Sequence, residues 1–220
     1  YEQVGQRAGK FENDPWPEKG GAQLVRFLRP RLEAALKADD DFELINLFHR
    51  NGPFADRLYA GTELLLKVAE AHRRLGFPIE SARLFQSLIR DSKAEAFHEV
   101  ALMGLGDSYL EQKDMRAARA VFERYRLQFP VGRFAGQALI GILTSFEGEG
   151  NTSGLVKLGK QWLIHNPRHP DRALVQLKVA DALRQAKRDA EAAPLYESVL
   201  KAGMDLSALD RLRYADVLAR

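Results

Sequence analysis

The chain has 220 residues, 45% hydrophobic and 29% charged, enough for a substantial core and an ordinary balance for a soluble globular or repeat protein. Its 33 basic residues barely exceed its 30 acidic ones, which argues against a nucleic-acid binder, since such proteins cluster Lys and Arg on one face. Cysteine is absent, excluding disulfides, thiolate metal sites and a cysteine nucleophile, and no run approaches the roughly 20 apolar residues of a membrane span.

Residues 1–21 open the chain without periodicity. They are rich in Gly, Pro and charge, and read as a linker or docking arm, with Phe11 and Trp16 placed to dock back on the rest of the chain or onto a partner. Residues 22–220 are helical in pattern. A degenerate first hairpin covers Ala22 to Arg50, with Leu44 and Phe48 on its second helix. In its turn stands the run Asp39-Asp40-Asp41, which the helix dipole favours as a cap rather than a cation site. The next hairpin places Ala69 and His72 on a first helix, Gly76 in the turn, and Ser81, Phe85 and Leu88 on a second helix; His72 reads as a packed, hydrogen-bonded histidine, and His49 and His98 belong to no motif.

The clearest unit is GLGDSYLEQKDMRAARAVFERYRLQFP, residues 104–130. Leu102, Leu105, Gly106 and Tyr109 share one helical face, Ala118, Phe122, Tyr125 and Phe129 another, and Gln112-Lys113-Asp114 form a polar turn. Neither helix can bury its stripe alone, so the unit needs neighbours. Steps of 37 residues from Ala118 land on Ser81, Leu155 and Ala192. Four residues beyond each lie Phe85, Phe122, Gly159 and Tyr196, and twelve before lie Ala69, Gly106, Leu143 and Ala180. Gly159 and Leu143 are the departures from a large-and-small pattern. Tyr109 and Phe122 are expected to pack across their hairpin beside Gly106, the point of close approach. The last stretch, LSALDRLRYADVLAR, brings Tyr214, Ala215 and Leu218 into first-helix register without a stop signal. With a start at Tyr1 and no visible signal peptide, the chain reads as a fragment of a longer protein.

The order Leu105-Gly106, Tyr109, Ala118, Phe122, Pro130 resembles the tetratricopeptide repeat, with Phe146, Gly150 and Pro167 continuing it. Lys113 stands where that repeat usually has a turn glycine, and Tyr125 where it usually has alanine. The resemblance implies an all-α, right-handed superhelical solenoid of antiparallel hairpins with about five repeats over residues 22–220. The period of 37, longer than the usual value of about 34, with F-P and N-P closing the units, is similar to bacterial envelope members of the family, in the style of outer-membrane assembly lipoproteins and the Tol-Pal accessory protein.

No catalytic set stands out. His165 and His169 have metal-pair spacing, but Pro167 and Pro170 make the segment a turn, and no metal or cofactor is expected. The glycine-rich run 148–154 lacks the Lys-Ser/Thr ending of a phosphate loop and reads as a turn, with Asn151, Thr152 or Ser153 capping the next helix. Trp162 and the other repeat aromatics read as core rather than stacking platforms.

The resemblance implies a partner groove on the first helices, away from the Leu-Gly-Tyr stripe. It selects Leu66, Lys67, Glu70, Arg73 and Arg74; then Met103, Asp107, Leu110 and Glu111; then Ile140, Thr144 and Glu147; and finally Leu177, Lys178, Asp181 and Arg184. The charges alternate in sign along this lining, which suits a protein segment of patterned charge. Glu70, Asp107, Thr144 or Asp181 occupies the position where carboxylate-clamp repeats need Asn, which argues against capture of a terminal carboxylate.

The expectation is a non-enzymatic scaffold that binds a protein or peptide segment, not nucleic acid, in a periplasmic or envelope assembly. Membrane attachment is expected only through an anchor or partner outside the fragment, and self-association through the unfinished last repeat. The rival expectations are the helical arm of a larger enzyme, such as a cell-wall lytic transglycosylase, and a cytoplasmic adaptor.

Overall fold

The structure is a computed structural model that describes residues 16–50 and 63–219. Eleven α-helices and no strand occur among them: α1 (Trp16–Lys37), α2 (Asp41–Arg50), α3 (Glu63–Arg74), α4 (Pro78–Arg90), α5 (His98–Glu111), α6 (Met115–Gln128), α7 (Ala135–Gly148), α8 (Thr152–His165), α9 (Arg172–Gln185), α10 (Asp189–Lys201) and α11 (Ala208–Leu218). A 3-10 segment, Ser92–Phe97, precedes α5. The helices form five hairpins followed by a single helix, the all-α solenoid repeat class expected from the period. Helix α1 begins at Trp16, inside the stretch expected to be an arm; Phe11 and the rest of residues 1–15 lie outside the described residues, as does the side chain of Trp16. Among the described residues no helix is long and apolar enough to cross a membrane.

Every hairpin closes on the same turn. Asp39, Gly76, Lys113, Gly150 and Lys187, spaced 37 apart, all have left-handed backbone, with φ of 51°, 80°, 61°, 69° and 58°. The residue after each donates its N–H to a carbonyl five back, as in Phe77 to His72, Asp114 to Tyr109, Asn151 to Phe146 and Arg188 to Leu183, at 2.8–2.9 Å. The left-handed residue donates three back, as in Lys113 to Leu110. This is the Schellman pattern, which satisfies the last carbonyls of the first helix and turns the chain at once. The second helices start on caps where the sequence permits: Asp114 accepts from Ala117 N–H at 3.0 Å and Asn151 from Gly154 N–H at 2.9 Å. In the acidic run, Asp40 accepts from Glu43 N–H at 2.9 Å.

Two compact units divide the chain, Tyr1–Ala101 and Leu102–Arg220. In the first, Leu32, Leu44, Leu47 and Phe48 of α1 and α2 and Leu65, Val68, Ala69, Leu84, Phe85 and Leu88 of α3 and α4 are buried. In the second, the Phe122 ring is wedged between two first helices. A Cβ built on Gly106 of α5 would lie 2.5 Å from Phe122 Cε1, and one on Gly141 of α7 would collide with the opposite ring edge. The two departures in the next hairpin compensate each other. Leu143 on α7 replaces the small residue, Gly159 on α8 replaces the large one, and Leu143 Cδ1 lies 3.9 Å from the Cβ position of Gly159, whose remaining space Val179 of α9 fills. Tyr196 restores the aromatic in α10.

Two stability outcomes follow from this packing. Gly106→Leu forces a side chain into the Phe122 ring and is expected to destabilise the fold by at least about 1–3 kcal/mol in urea unfolding. Lys113→Gly removes a left-handed β-carbon clash and is expected to raise stability by about 0.5–1 kcal/mol, although it deletes a side chain.

Candidate functional site

The first-helix face of the Leu102–Arg220 unit holds a cavity of about 430 Å³. Five of its lining residues are those the repeat register selected: Met103, Asp107 and Leu110 of α5, and Ile140 and Thr144 of α7. Helical spacing explains their convergence, because positions three and four apart stack on one side of each helix. Four further lining residues escaped the sequence reading: Phe134, Gln137, Gly141 and Leu174.

Phe134 is placed by the residue that departs from the family pattern. Tyr125, fully buried, uses its hydroxyl to accept the Phe134 N–H at 2.9 Å, and its ring lies 5.4 Å from Phe129 and 6.4 Å from Phe134. An alanine there could not hold the connector between α6 and α7. Gly141 lines the cavity because the Phe122 wedge demands a glycine, so the floor is shaped by the hairpin packing itself. Its lining is mainly aliphatic and aromatic with a few polar groups, as in binding pockets of roughly 300–1,000 Å³.

The remaining residues of the expected lining in this unit do different work. Glu147 accepts from Lys178 Nζ at 2.8 Å, and Arg184 pairs with Asp216 of α11 at 3.6 Å. Leu177 is half-buried, packed against the α7–α10 core. Asp181 is not a groove residue. It is buried, accepts the Tyr196 hydroxyl at 2.5 Å and is paired with Arg213 of α11 at 2.7 Å. Burial, and then the Asp181 carboxylate, pushes the Tyr196 phenol above its ordinary pKa, so the hydroxyl stays a donor. Asp181 fastens the last helix instead of facing a partner. Glu111 remains exposed one turn beyond Asp107.

In the Tyr1–Ala101 unit, Lys67, Glu70 and Arg74 line a separate charged cleft of about 1090 Å³, together with Arg29, Glu33, Asp39 and Asp41 among others. Several of its charges are engaged internally. Arg74 donates to both Asp41 oxygens at 2.6 and 2.5 Å, and this hydrogen-bonded guanidinium lowers the Asp41 carboxyl below its usual range. Lys67 pairs with Glu70 at 3.2 Å. Arg73 is half-buried. Leu66, expected in the groove, is 5% exposed and belongs to the core, because α3 is covered on two sides by α2 and α4.

His72 is buried, as its repeat position implied. Its Nδ1 lies 2.7 Å from the Val68 carbonyl, which can only accept, so Nδ1 carries the proton. Its Nε2, 2.8 Å from His49 Nε2, is then the acceptor of a bond from α2 to α3. Among the described residues no group of three or more His, Asp or Glu is arranged to hold a metal ion. His165 Nδ1 bonds the Gln161 carbonyl at 2.8 Å, while His169 packs edge-on against Trp162 at 4.9 Å.

Burial lowers the His72 pKa below its ordinary 6.5, with the Val68 carbonyl and Glu80 opposing and His49 and Arg83 reinforcing the shift. A histidine favoured neutral in the fold stabilises it above the unfolded pKa, and that stability is lost as pH falls. The wild type is therefore expected to lose urea resistance between about pH 7.5 and pH 5 to a greater extent than His72→Phe. Equal losses in the two proteins would show that the pair does not carry the dependence.

A tetratricopeptide repeat family model matches residues 66–132 and 161–207, together more than half the chain. Among solved structures, a Podosopora anserina putative kinesin light chain with nearly identical TPR-like repeats is similar at a TM-score of 0.61 and 14% identity, covering 80% of this chain and 93% of that one. A single-substitution form of the same protein is similar at 0.61 and 16%, with the same coverage. Identities this low establish likeness of fold alone. No curated protein sequence matches this chain.

Proposed function

Since the chain belongs to the tetratricopeptide repeat family, whose repeats are generally protein–protein interaction scaffolds, we propose that it docks a segment of a partner protein on the first-helix face of the Leu102–Arg220 unit. The observation that carries this reading is the apolar cavity between α5 and α7, with Gln137 and Thr144 at its polar margin. The period of 37 and the F-P and N-P closings favour a bacterial envelope assembly as the setting. A scaffold of this kind acts by presenting a face, and its hairpins are held by buried packing.

The test replaces two rim residues that take no part in the core. Gln137→Arg with Thr144→Arg crowds the cavity and leaves the helix contacts intact, unlike reversals at Arg74, Lys178 or Arg184, which would break ion pairs between helices. A partner recovered from native extract by the wild type is expected to be lost with the double variant, at unchanged melting temperature. Recovery that survives it would sink the assignment of the face. Fractionation of the source cells is expected to place the protein with the envelope; a purely cytosolic distribution would overturn that setting.

A further inference from the structure

Two histidines meet where α2 packs on α3. His49 stands in the last turn of α2 and His72 in the last turn of α3, and their Nε2 atoms lie 2.8 Å apart. The rings cross at 78° with centroids 5.0 Å apart, so they meet edge to face and do not stack. Each ring is braced by an aromatic neighbour, His49 by Phe48 and His72 by Phe77, both edge-on. His72 Nδ1 donates to the Val68 carbonyl at 2.7 Å. That bond fixes the tautomer with the lone pair on Nε2, and a backbone carbonyl orients metal-bound histidines in the same way. His72 is 1% exposed, whereas His49 is exposed, so the meeting point opens to water on one side.

From this geometry we infer that His49 and His72 form a reversible site for a divalent transition ion that favours imidazole, such as Zn2+. Without the ion, His49 donates its Nε2–H to His72. With it, the neutral His49 ring carries that proton on Nδ1, and both Nε2 lone pairs face the ion; no proton is lost. Zinc–nitrogen bonds of about 2.0–2.1 Å place two tetrahedral ligands about 3.4 Å apart, so the rings need part by only about half an ångström. Of the charged groups that act on His72, Glu80 favours a cation and Arg83 opposes it. Among the described residues no third His, Asp or Glu joins the pair, so water on the His49 side supplies the remaining positions. Two protein ligands make an exchangeable site, unlike closed structural sites with four. The ion replaces a hydrogen bond between α2 and α3 with two coordinate bonds. It favours the folded chain, because the two residues are 23 positions apart and only folding brings them together. The site is independent of the docking face between α5 and α7.

Zn2+ alone, titrated calorimetrically into the untagged chain at about pH 7.5, where histidine is ordinarily neutral, tests the site. One saturable ion per chain is expected, and the Nε2 resonances of both rings are expected to shift together. His49→Ala, at an exposed position, is expected to weaken binding by at least about tenfold, no less than the loss of an outer-shell partner does. Should that variant fail to fold, His49→Gln, which keeps a donor for His72 but no imidazole, takes its place with the same expectation. Zn2+ at about ten times its Kd is expected to raise the folded-to-unfolded ratio in urea about tenfold in the wild type and to leave the His49 variant unprotected. His165→Ala with His169→Ala is expected to change neither result. Absence of saturable binding overturns the inference, as does binding or protection that survives loss of the His49 imidazole. Binding lost with His165→Ala and His169→Ala instead puts the ion on that turn and overturns it too.

Discussion

Each hairpin depends on one backbone constraint, a left-handed residue recurring every 37 positions. Asp39, Gly76, Lys113, Gly150 and Lys187 all meet it, and each completes the same pair of turn hydrogen bonds. Only glycine adopts this conformation without strain, so three of the five positions hold it against an intrinsic preference. They do so because the next residue must begin an antiparallel helix whose apolar stripe has nowhere else to go. The local cost is borne by burial of residues such as Phe122 and Tyr196, which are shielded from water entirely.

Given that turn, the separation of the helices is set by side-chain volume at a few positions. Phe122 fits only because Gly106 and Gly141 present no Cβ to its two edges. One hairpin later the sizes are exchanged between Leu143 and Gly159, and Val179 fills the space that remains. The same wedge that holds α5, α6 and α7 together makes Gly141 part of the cavity floor. Hairpin packing and the candidate docking surface are thus consequences of one contact.

Electrostatics divides the charged residues between two roles. Successive repeats are tied by Arg119 to Glu149, Lys160 to Glu191, Lys178 to Glu147 and Arg213 to Asp181, pairs separated by 30–32 residues, close to one repeat. Pairs with exposed members contribute little each, but they hold Arg119, Lys160, Lys178 and Arg213 against neighbouring hairpins. Asp107 also lines the cavity between α5 and α7.

Periodicity located all five hairpins, the small and large core positions and the turns, because helix burial and repeat stacking both leave a signal at fixed spacing, whereas Met103, Asp107, Leu110, Ile140 and Thr144 were selected by the groove that the family resemblance implies. It also identified His72 as a core residue and Asn151 among the caps. It misassigned Leu66 and Asp181, since a first-helix register does not reveal that a neighbouring helix covers one residue or that Tyr196 and Arg213 reach another. Phe134 and Leu174 escaped it because they come from connectors and helix starts, where no period applies. Their positions follow from a tertiary bond, Tyr125 to the Phe134 amide, and from packing between hairpins. Sequence determined the repeat, its turn and its core; tertiary structure alone decided which charges became internal ties and which side chains enclose a cavity, because both depend on contacts between residues about one repeat apart in the chain.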